Sequence, residues 1–358
     1  MTEVYEYTSP QEMRQNFAQI YHKEVKPMME EFEKIRVQKY KEIKIIAACA
    51  IVIWLAITFF SAGILAVHSG FFVLVIAVVI ISVKKHNFTK LMKDSCMPRF
   101  MKAFGNLTHY VGEEVISDAE IGRTKLFKTY NRRTNDDAFI GSYKGVEFKI
   151  SETYLAYETG GKNKSTYVRF KGVLIDFESN KTIKNTTIIQ PNLFSDKESF
   201  NSILALVCFL IFGGYIWFLI GAFSVVIAGI ICVIMFIFAF LAKPKRVEVL
   251  NPMQLEDPDF QKNYVASSSD EVEGRYLITT AFIQRFKDLK KAFKTNQICC
   301  SFYDKNLMFG IWSDKDLFEI GKISKPLTNA KYIEQFYNQM IAILQIIEQF
   351  KLDEKTGL

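Results

Sequence analysis

The chain has few of the residues that build common catalytic and metal sites. Its 358 residues include only four histidines and six cysteines, with no Cys-x-x-Cys, His-Glu-x-x-His or His/Cys cluster. The strings typical of phosphate-binding loops, dinucleotide-binding folds and nucleophile elbows are also missing. We therefore expect no catalytic residues, no cofactor and no metal, and we expect the protein not to be an enzyme.

Charge is absent from two long segments. Ile45–Val83 and Ile203–Ala242 contain no Asp, Glu, Lys or Arg across 39 and 40 residues. A membrane-spanning helix needs about 20 apolar residues, so each segment predicts a helical hairpin. The expected fold is a multi-pass α-helical membrane protein with two helical hairpins, four transmembrane helices and a cytoplasmic α+β domain. Both segments also lack Asn and Gln, so they are interpreted as anchors rather than as a transport path.

Basic residues collect at the edges of both apolar segments. Lys and Arg are retained on the cytoplasmic side, and a hairpin puts both of its flanks on one side, so both termini are expected to be cytoplasmic. These side chains are interpreted as orienting the helices and contacting membrane lipids. A specific phospholipid or nucleic-acid site is the alternative, but without a basic–aromatic pattern we expect no nucleic acid. The flanking residues are Lys41, Lys44, Lys84, Lys85, Lys90, Lys93, Lys243, Lys245 and Arg246.

The two apolar segments divide the polar remainder of the chain. Because the soluble segments emerge on one side and neither has a rich core alone, 243–358 is expected to complete one composite domain with 84–202. Two separate domains are the alternative. The expected segments are 1–44, an N-terminal cytoplasmic amphipathic helix; 45–83, hairpin 1; 84–202, a helix and β-meander; 203–242, hairpin 2; and 243–358, a cytoplasmic α+β segment.

Local patterns predict the elements of these segments. Ser9 and Pro10 are typical of a helix start, and Pro27 should kink or restart that helix. A helix is predicted over Phe88–Val115, followed by a β-meander of at least four strands. A helix capped by Thr279 or Thr280 and a C-terminal helix from about Asn329 to Leu352 are also predicted. One strand is predicted to include Val146, Phe148 and Ile150, and the others are Thr166–Phe177, Thr182–Ile189, Ile298–Tyr303 and Leu307–Trp312.

A few polar residues are candidates for chemistry. Asp137, Ser151, Glu152 and Arg275 are the first choices for mutation, with Ser151-Glu152 ending a strand and Arg275 as a core or groove partner. Acidic clusters offer the oxygen ligands that a divalent cation prefers, although turn and cap chemistry is the favoured interpretation. These clusters are Asp136/Asp137, Glu256/Asp257/Asp259 and Asp270/Glu271/Glu273.

Several short stretches form an ordered set along the chain. They are Asp136–Gly141, Gly145–Glu152, Phe170–Leu174, Leu255–Phe260, Ser269–Leu277, Ser301–Tyr303 and Asp316–Glu319. In order and spacing they resemble the bacterial membrane-protein family known as domain of unknown function 3137 (DUF3137). The resemblance covers nearly the whole chain and implies a bacterial inner-membrane protein with an N-terminal membrane hairpin and a cytoplasmic α+β body. It makes 203–242 an additional second hairpin, and it hints at a LemA-type membrane protein as a partner.

Three classes of function follow from these patterns. The leading hypothesis is a membrane-anchored cytoplasmic scaffold or adaptor that binds protein partners or lipid headgroups. A homo-oligomer is compatible with this hypothesis. A transport or channel component formed by oligomerisation is the second. An enzyme of unrecognised class at the membrane surface is the third. Anchors without polar groups and the missing catalytic motifs favour the first hypothesis.

Overall fold

The structure is a computed structural model that describes residues 10–60, 64–160, 164–179, 183–192, 250–293, 295, 297–315, 317–329 and 331–352. The predicted second hairpin and its flanking residues Lys243, Lys245 and Arg246 lie outside these residues. The chain divides into two compact units. The first is Met1–Lys184 with Gln284–Leu358, and the second is Asn185–Ile283.

The first unit begins with three helices. Helix α1 begins at Pro10, as the sequence predicts, and a π-helical turn separates it from α2. Pro27 is the second residue of α2, which directly follows the π-helical turn, so the helical hydrogen-bond pattern is irregular just before the proline, which has no N–H to donate. The helical backbone continues from Pro10 to Phe60 through this turn. The elements are α1 (Pro10–Ile20), the π-helical turn (Tyr21–Val25), α2 (Lys26–Phe60) and α3 (Ile64–Met101), and a short 3₁₀ turn (Lys102–Phe104) follows.

Two helical stretches, Gln11–Phe59 and Phe71–Phe104, are long and apolar enough to cross a membrane. Their apolar parts are largely exposed, for example at Val52, Phe59 and Phe72. A core helix of a soluble protein would bury such side chains, whereas a lipid-facing helix exposes them. The two helices thus have the length, composition and surface of membrane spans.

The end of α3 differs from its predicted environment. Phe88, Met92 and Phe100 are buried, so this part of the helix belongs to the core of the first unit. Lys93 is also buried, which corrects its expected place at the lipid headgroups. The remaining flanking lysines of α2 and α3 stay nearer the surface, and Lys84 pairs with Glu42 at 2.8 Å.

The predicted helix over Phe88–Val115 is wrong beyond Phe104. Gly105 has a φ of 79°, a left-handed conformation that glycine adopts without strain. Leu107–Val111 then forms a strand, β1. The chain leaves the helix at this point because β1 pairs with a strand that lies about thirty residues further on.

The first unit contains an antiparallel sheet in the order β1-β2-β3-β4-β9-β8. The β-meander of at least four strands is confirmed, but its fourth strand is β1 rather than Thr182–Ile189. The predicted hairpin around Asp304 is confirmed as well. The remaining strands are β2 (Arg132–Tyr143), β3 (Val146–Glu158), β4 (Thr166–Glu178), β8 (Ile298–Tyr303) and β9 (Asn306–Trp312).

Each face of this sheet packs against helices. Helix α4 (Asp118–Arg123) starts with a capping box at Ser117 and supplies Ile121 to a cluster with Leu155, Phe170 and Leu174. Aromatic side chains connect the helices α1, α3 and α8 (Lys331–Gln349) with strand β2. They include the pairs Phe17–Phe100, Phe100–Phe336, Phe318–Phe336 and Phe139–Phe318, with ring centroids 5.0–6.4 Å apart.

The C-terminal helix α8 buries the predicted apolar stripe. Ile333, Phe336, Met340, Leu344 and Ile347 are all buried, so this stripe belongs to the core. The opposite side of α8 carries polar residues. That side lines a cleft described below.

The second unit contains three antiparallel strands in the order β5-β7-β6. Asp257 accepts a hydrogen bond from the Phe260 N–H, and Asp270 accepts from the N–H groups of Val272 and Glu273. Both acids are therefore helix caps, which confirms the turn-and-cap interpretation for them. The elements are β5 (Thr187–Pro191), β6 (Asn251–Met253), α5 (Pro258–Asn263), β7 (Tyr264–Ser268) and α6 (Glu271–Leu277).

Helix α7 (Thr280–Phe293) leads back into the first unit. The Phe282 N–H donates to Thr279 Oγ1 at 3.2 Å. This contact confirms the predicted cap at Thr279.

Candidate functional site

A buried cluster of charged side chains joins α3 to the sheet. Lys93 Nζ lies 2.6 Å from Asp137 Oδ2 and 4.0 Å from Asp136 Oδ1. His109 Nε2 lies 2.9 Å from Asp137 Oδ1. The side chains of Lys93, His109 and Asp137 are 4%, 6% and 0% exposed. We call Lys93, His109, Asp136 and Asp137 the Lys93 centre.

A β-bulge explains how two consecutive acids reach one lysine. Successive side chains of a regular strand point to opposite faces of the sheet. The register of β2 against β3 shifts between Asn135 and Ala138, and Asp136 and Asp137 are the residues of this irregularity. A bulge re-aims side chains locally. Both carboxylates therefore come within 4.0 Å of the same ammonium group.

The same bulge brings Glu152 close to the acid pair. One oxygen from each of Asp136, Asp137 and Glu152 lies within 4.8 Å of the others, a donor set that suits a hard cation. However, the Lys93 ammonium already lies against Asp137 Oδ2. Lys93 thus supplies the positive charge that this acidic group needs, and a metal ion would have to displace it.

The four polar residues singled out from the sequence have different environments. Asp137 belongs to the Lys93 centre, and Glu152 Oε1 accepts the Leu317 N–H at 3.0 Å. Ser151 is buried and its hydroxyl bonds Thr153 Oγ1 at 2.8 Å. Contrary to expectation, Ser151 and Glu152 lie within β3, which continues to Glu158 because it pairs with the equally long β4.

Arg275 has a local partner. It lies on α6 in the second unit, where its guanidinium contacts Glu271 Oε1 at 2.7 Å one helical turn away. Both side chains are more than half exposed. An exposed pair of this kind contributes little free energy, so the predicted role in a core or groove is wrong.

A large cleft lies between α8 and the sheet of the first unit. Its volume is about 1220 Å³. Apolar groups come from β4, β9 and α7, and the α8 wall carries polar side chains. The residues that matter below are Lys171, Phe293, Trp312, Lys315, Lys331, Gln335 and Asn338, and we call this space the α8 cleft.

A smaller pocket of about 240 Å³ shares residues with the cleft. Tyr154, Lys171 and Lys315 line both spaces. The smaller pocket also contains Asp136 and Glu152, so it lies directly above the bulge of β2. The Lys93 centre and the α8 cleft are therefore neighbouring parts of one region of the first unit.

The sequence reasoning missed the residues of the cleft. The candidate residues were chosen from charged clusters, whereas half of the α8 residues that line the cleft are amides. One signal was present: the helix that carries the apolar stripe has Gln335, Asn338 and Gln339 on its polar side, where solvated helices more often carry charges. The Lys93–Asp137 pair had no local signal, because 44 residues separate its members.

A second buried acid lies on the opposite side of the sheet, near α4. Asp176 accepts hydrogen bonds from Tyr303 Oη at 2.9 Å and Asn306 Nδ2 at 2.7 Å. Burial raises the pKa of Asp176 to about 6, because these two donors are neutral and compensate the carboxylate only in part. The pKa of Tyr303 is raised by its own burial and by Asp176. We therefore expect Asp176 to bind a proton at a higher pH than an exposed aspartate does.

A family model described as "Protein of unknown function (DUF3137)" matches residues 168–352. The matched range contains β4, β9 and α8, which provide most of the cleft. No curated protein and no solved structure matches the chain.

Proposed function

Because the chain belongs to the DUF3137 family, whose members are described as proteins of unknown function, we propose its function from its own geometry. The protein is a membrane-anchored scaffold or adaptor without enzymatic activity, and its cytoplasmic body binds a partner protein. It resides in the bacterial inner membrane with both termini in the cytoplasm. Four helices cross the membrane, namely α2, α3 and the two helices of the hairpin in 203–242.

One observation carries this proposal: α2 and α3 continue from their apolar parts into the soluble core without a linker. On α3, the exposed residues Val78 and Val79 are followed along the same helix by the buried Phe88 and Met92. Such a helix holds the sheet at a set distance from the bilayer. A tethered enzyme or binding domain needs no such rigid connection, whereas a scaffold uses it to position a partner.

Helix α2 is attached to the body as well. The Arg36 guanidinium contacts Glu33 at 2.6 Å and donates to the Ile323 carbonyl at 2.9 Å. The Leu327 N–H in turn donates to Glu33 Oε2 at 2.9 Å. These contacts attach α2 to the segment that precedes α8, so both anchor helices support the wall of the cleft.

The orientation is tested first. Cys96, Cys299 and Cys300 are buried and will not report topology. We would therefore introduce Lys128→Cys at an exposed position of the first unit. A membrane-impermeant maleimide should label this cysteine in inverted vesicles and not in intact cells lacking the outer membrane. Labelling of intact cells would overturn the proposed topology.

The adaptor role is tested by crosslinking the full chain in its native membrane, followed by mass spectrometry. A photoreactive residue is placed at exposed sites around the first unit, such as 128, 164 and 322, one site at a time. Reproducible crosslinks to the same protein from neighbouring sites support the adaptor, and a LemA-type membrane protein is the first candidate. If no site yields a protein beyond the background of an unrelated two-span protein, the adaptor role is rejected.

A further inference from the structure

The α8 cleft has the dimensions of a peptide site rather than a small-molecule site. Pockets for small ligands usually have volumes of about 300–1,000 Å³, and this cleft has about 1220 Å³. Its α8 wall runs from Lys331 to Ala342. These twelve residues of α-helix span eleven steps, a rise of about 16 Å, which matches about five residues of an extended chain at about 3.3 Å each.

The α8 wall also has suitable hydrogen-bonding groups. The side chains of Gln335 and Asn338 face the cleft, and so does Gln297 on the opposite side. Within the described part of the chain, no side-chain hydrogen bond involves these three amides. Each amide offers donors and an acceptor, so amides on both walls of the cleft can pair with the N–H and C=O groups of a peptide backbone.

Apolar and charged groups add selectivity. Trp312 and Phe293 line the cleft beside Val168, whose side chain is largely exposed. Lys171, Lys315 and Lys331 face two acids, Asp314 and Glu334, so the lining is positive by one charge. In the described residues, Lys315 and Lys331 have no ion-pair partner. A matching ligand therefore carries acidic side chains and one apolar side chain.

We propose that the α8 cleft binds an extended segment of a partner protein, about five residues long, through its backbone and through acidic side chains at Lys315 and Lys331. The apolar side chain of this segment packs on Trp312. The proposal rests on the adaptor function and identifies the part of the body that holds the partner. It requires no movement of the Lys93 centre, which lies below the neighbouring pocket.

The test uses purified full-length protein in detergent micelles and an array of seven-residue peptides. The peptides vary in two properties only: acidic, neutral or basic charge, and the presence or absence of one Leu or Phe. We expect the acidic peptides with an apolar residue to bind at least about tenfold more tightly than the basic peptides of the same pattern, about 1.4 kcal/mol in affinity.

Two variants make the test specific. Lys315→Glu with Lys331→Glu should reverse the charge preference, and Asn338→Trp should weaken binding of every peptide because it fills the cleft. Lys128→Glu with Lys164→Glu is the matched control, since it reverses the same number of charges at exposed sites outside the cleft. Each variant is also checked for an unchanged unfolding transition, so that loss of binding is not loss of folding.

The outcomes separate this inference from the adaptor function. Equal binding of all peptide classes overturns the cleft proposal. So does a charge preference that the Lys128→Glu, Lys164→Glu control alters as much as the variant of Lys315 and Lys331 does. If crosslinking in cells still finds a partner, the adaptor stands and its partner binds another surface. If crosslinking fails while the peptides bind as expected, the cleft is confirmed and the adaptor role is rejected.

Discussion

Lys93→Met should be among the most destabilising single substitutions in the first unit. The substitution keeps the length and the apolar stem of the side chain and removes only the charge. Lys93 Nζ and Asp137 Oδ2 are 2.6 Å apart, and their side chains are 4% and 0% exposed. The variant therefore leaves a fully buried carboxylate without its ammonium partner.

The expected size follows from this geometry. At an effective dielectric constant of about 20, unit charges 2.6 Å apart attract each other by about 6 kcal/mol, and the desolvation of both groups offsets much of this attraction. Removing one partner of a buried pair costs about 3–5 kcal/mol, because the other charge stays desolvated. Since Asp137 keeps its contact with His109, we expect about 3 kcal/mol.

A double variant separates the charge effect from packing. In Lys93→Met with Asp137→Leu, both charges are gone, and apolar replacements of a buried pair are often neutral. His109 loses an acceptor, which costs about 1 kcal/mol. The double variant should therefore be more stable than Lys93→Met alone. Lys90→Met, an exposed lysine one turn earlier on α3, is the matched control and should change stability by less than about 0.5 kcal/mol.

The measurement is urea unfolding of the full chain in mild detergent. Trp312 reports on the first unit through its fluorescence when Trp54 and Trp217, the other two tryptophans, are replaced by Phe in all variants. A cost below about 1 kcal/mol for Lys93→Met, or a double variant as unstable as the sum of its single substitutions, would refute the reasoning.

Three further predictions concern other sites, measured by the same unfolding experiment unless stated. Burial raises the pKa of Asp176 from 3.8 to about 6, so between these pH values the folded chain binds more protons than the unfolded chain. The free energy of unfolding should therefore fall as pH rises, by about 3 kcal/mol in all. Asp176→Asn should remove this pH dependence, and an unchanged pH dependence would contradict the raised pKa of Asp176. Gly172→Ala should lower the free energy of unfolding by about 2 kcal/mol or more, because φ is +151° and a Cβ would lie 2.0 Å from the Ile311 carbonyl oxygen. The control Gly160→Ala should be tolerated, because no atom lies within 4 Å of the added Cβ. Asp270 lies in the second unit, on which Trp312 does not report, so hydrogen–deuterium exchange is the measurement for this site. Asp270→Ala should destabilise the start of α6 by about 1 kcal/mol and speed its amide exchange, while Asp270→Asn should keep most of the cap.

Local patterns were sufficient for elements whose partners are close in sequence. The hairpin of β8 and β9 has a turn of two residues, and the two apolar runs on either side of Asp304-Lys305-Asn306 predicted it correctly. The stripe of α8 repeats every three or four residues, so its burial was also predictable. In both cases the information that determines the element lies within the element.

Other features depend on contacts between distant parts of the chain. Strand β1 has five residues, too few for a clear alternation, and its pairing with β2 decides its conformation. Lys93 follows an apolar span in a basic stretch, which is the usual pattern of a headgroup-facing lysine. Its partner Asp137 lies in the bulge of β2, and no sequence pattern predicts that bulge.

The Lys93 centre determines where the cleft lies relative to the apolar part of α3. Ten residues, about 15 Å of helix, separate Val83 at the end of the apolar segment from Lys93. A slip of α3 by one residue would turn Lys93 by about 100° away from Asp137, and the buried acid would lose its partner. The helix therefore has one stable position against β2. Because Asp136 of the same bulge lines the pocket that joins the α8 cleft, the cleft keeps a defined distance from the apolar part of α3, as the proposed adaptor would require.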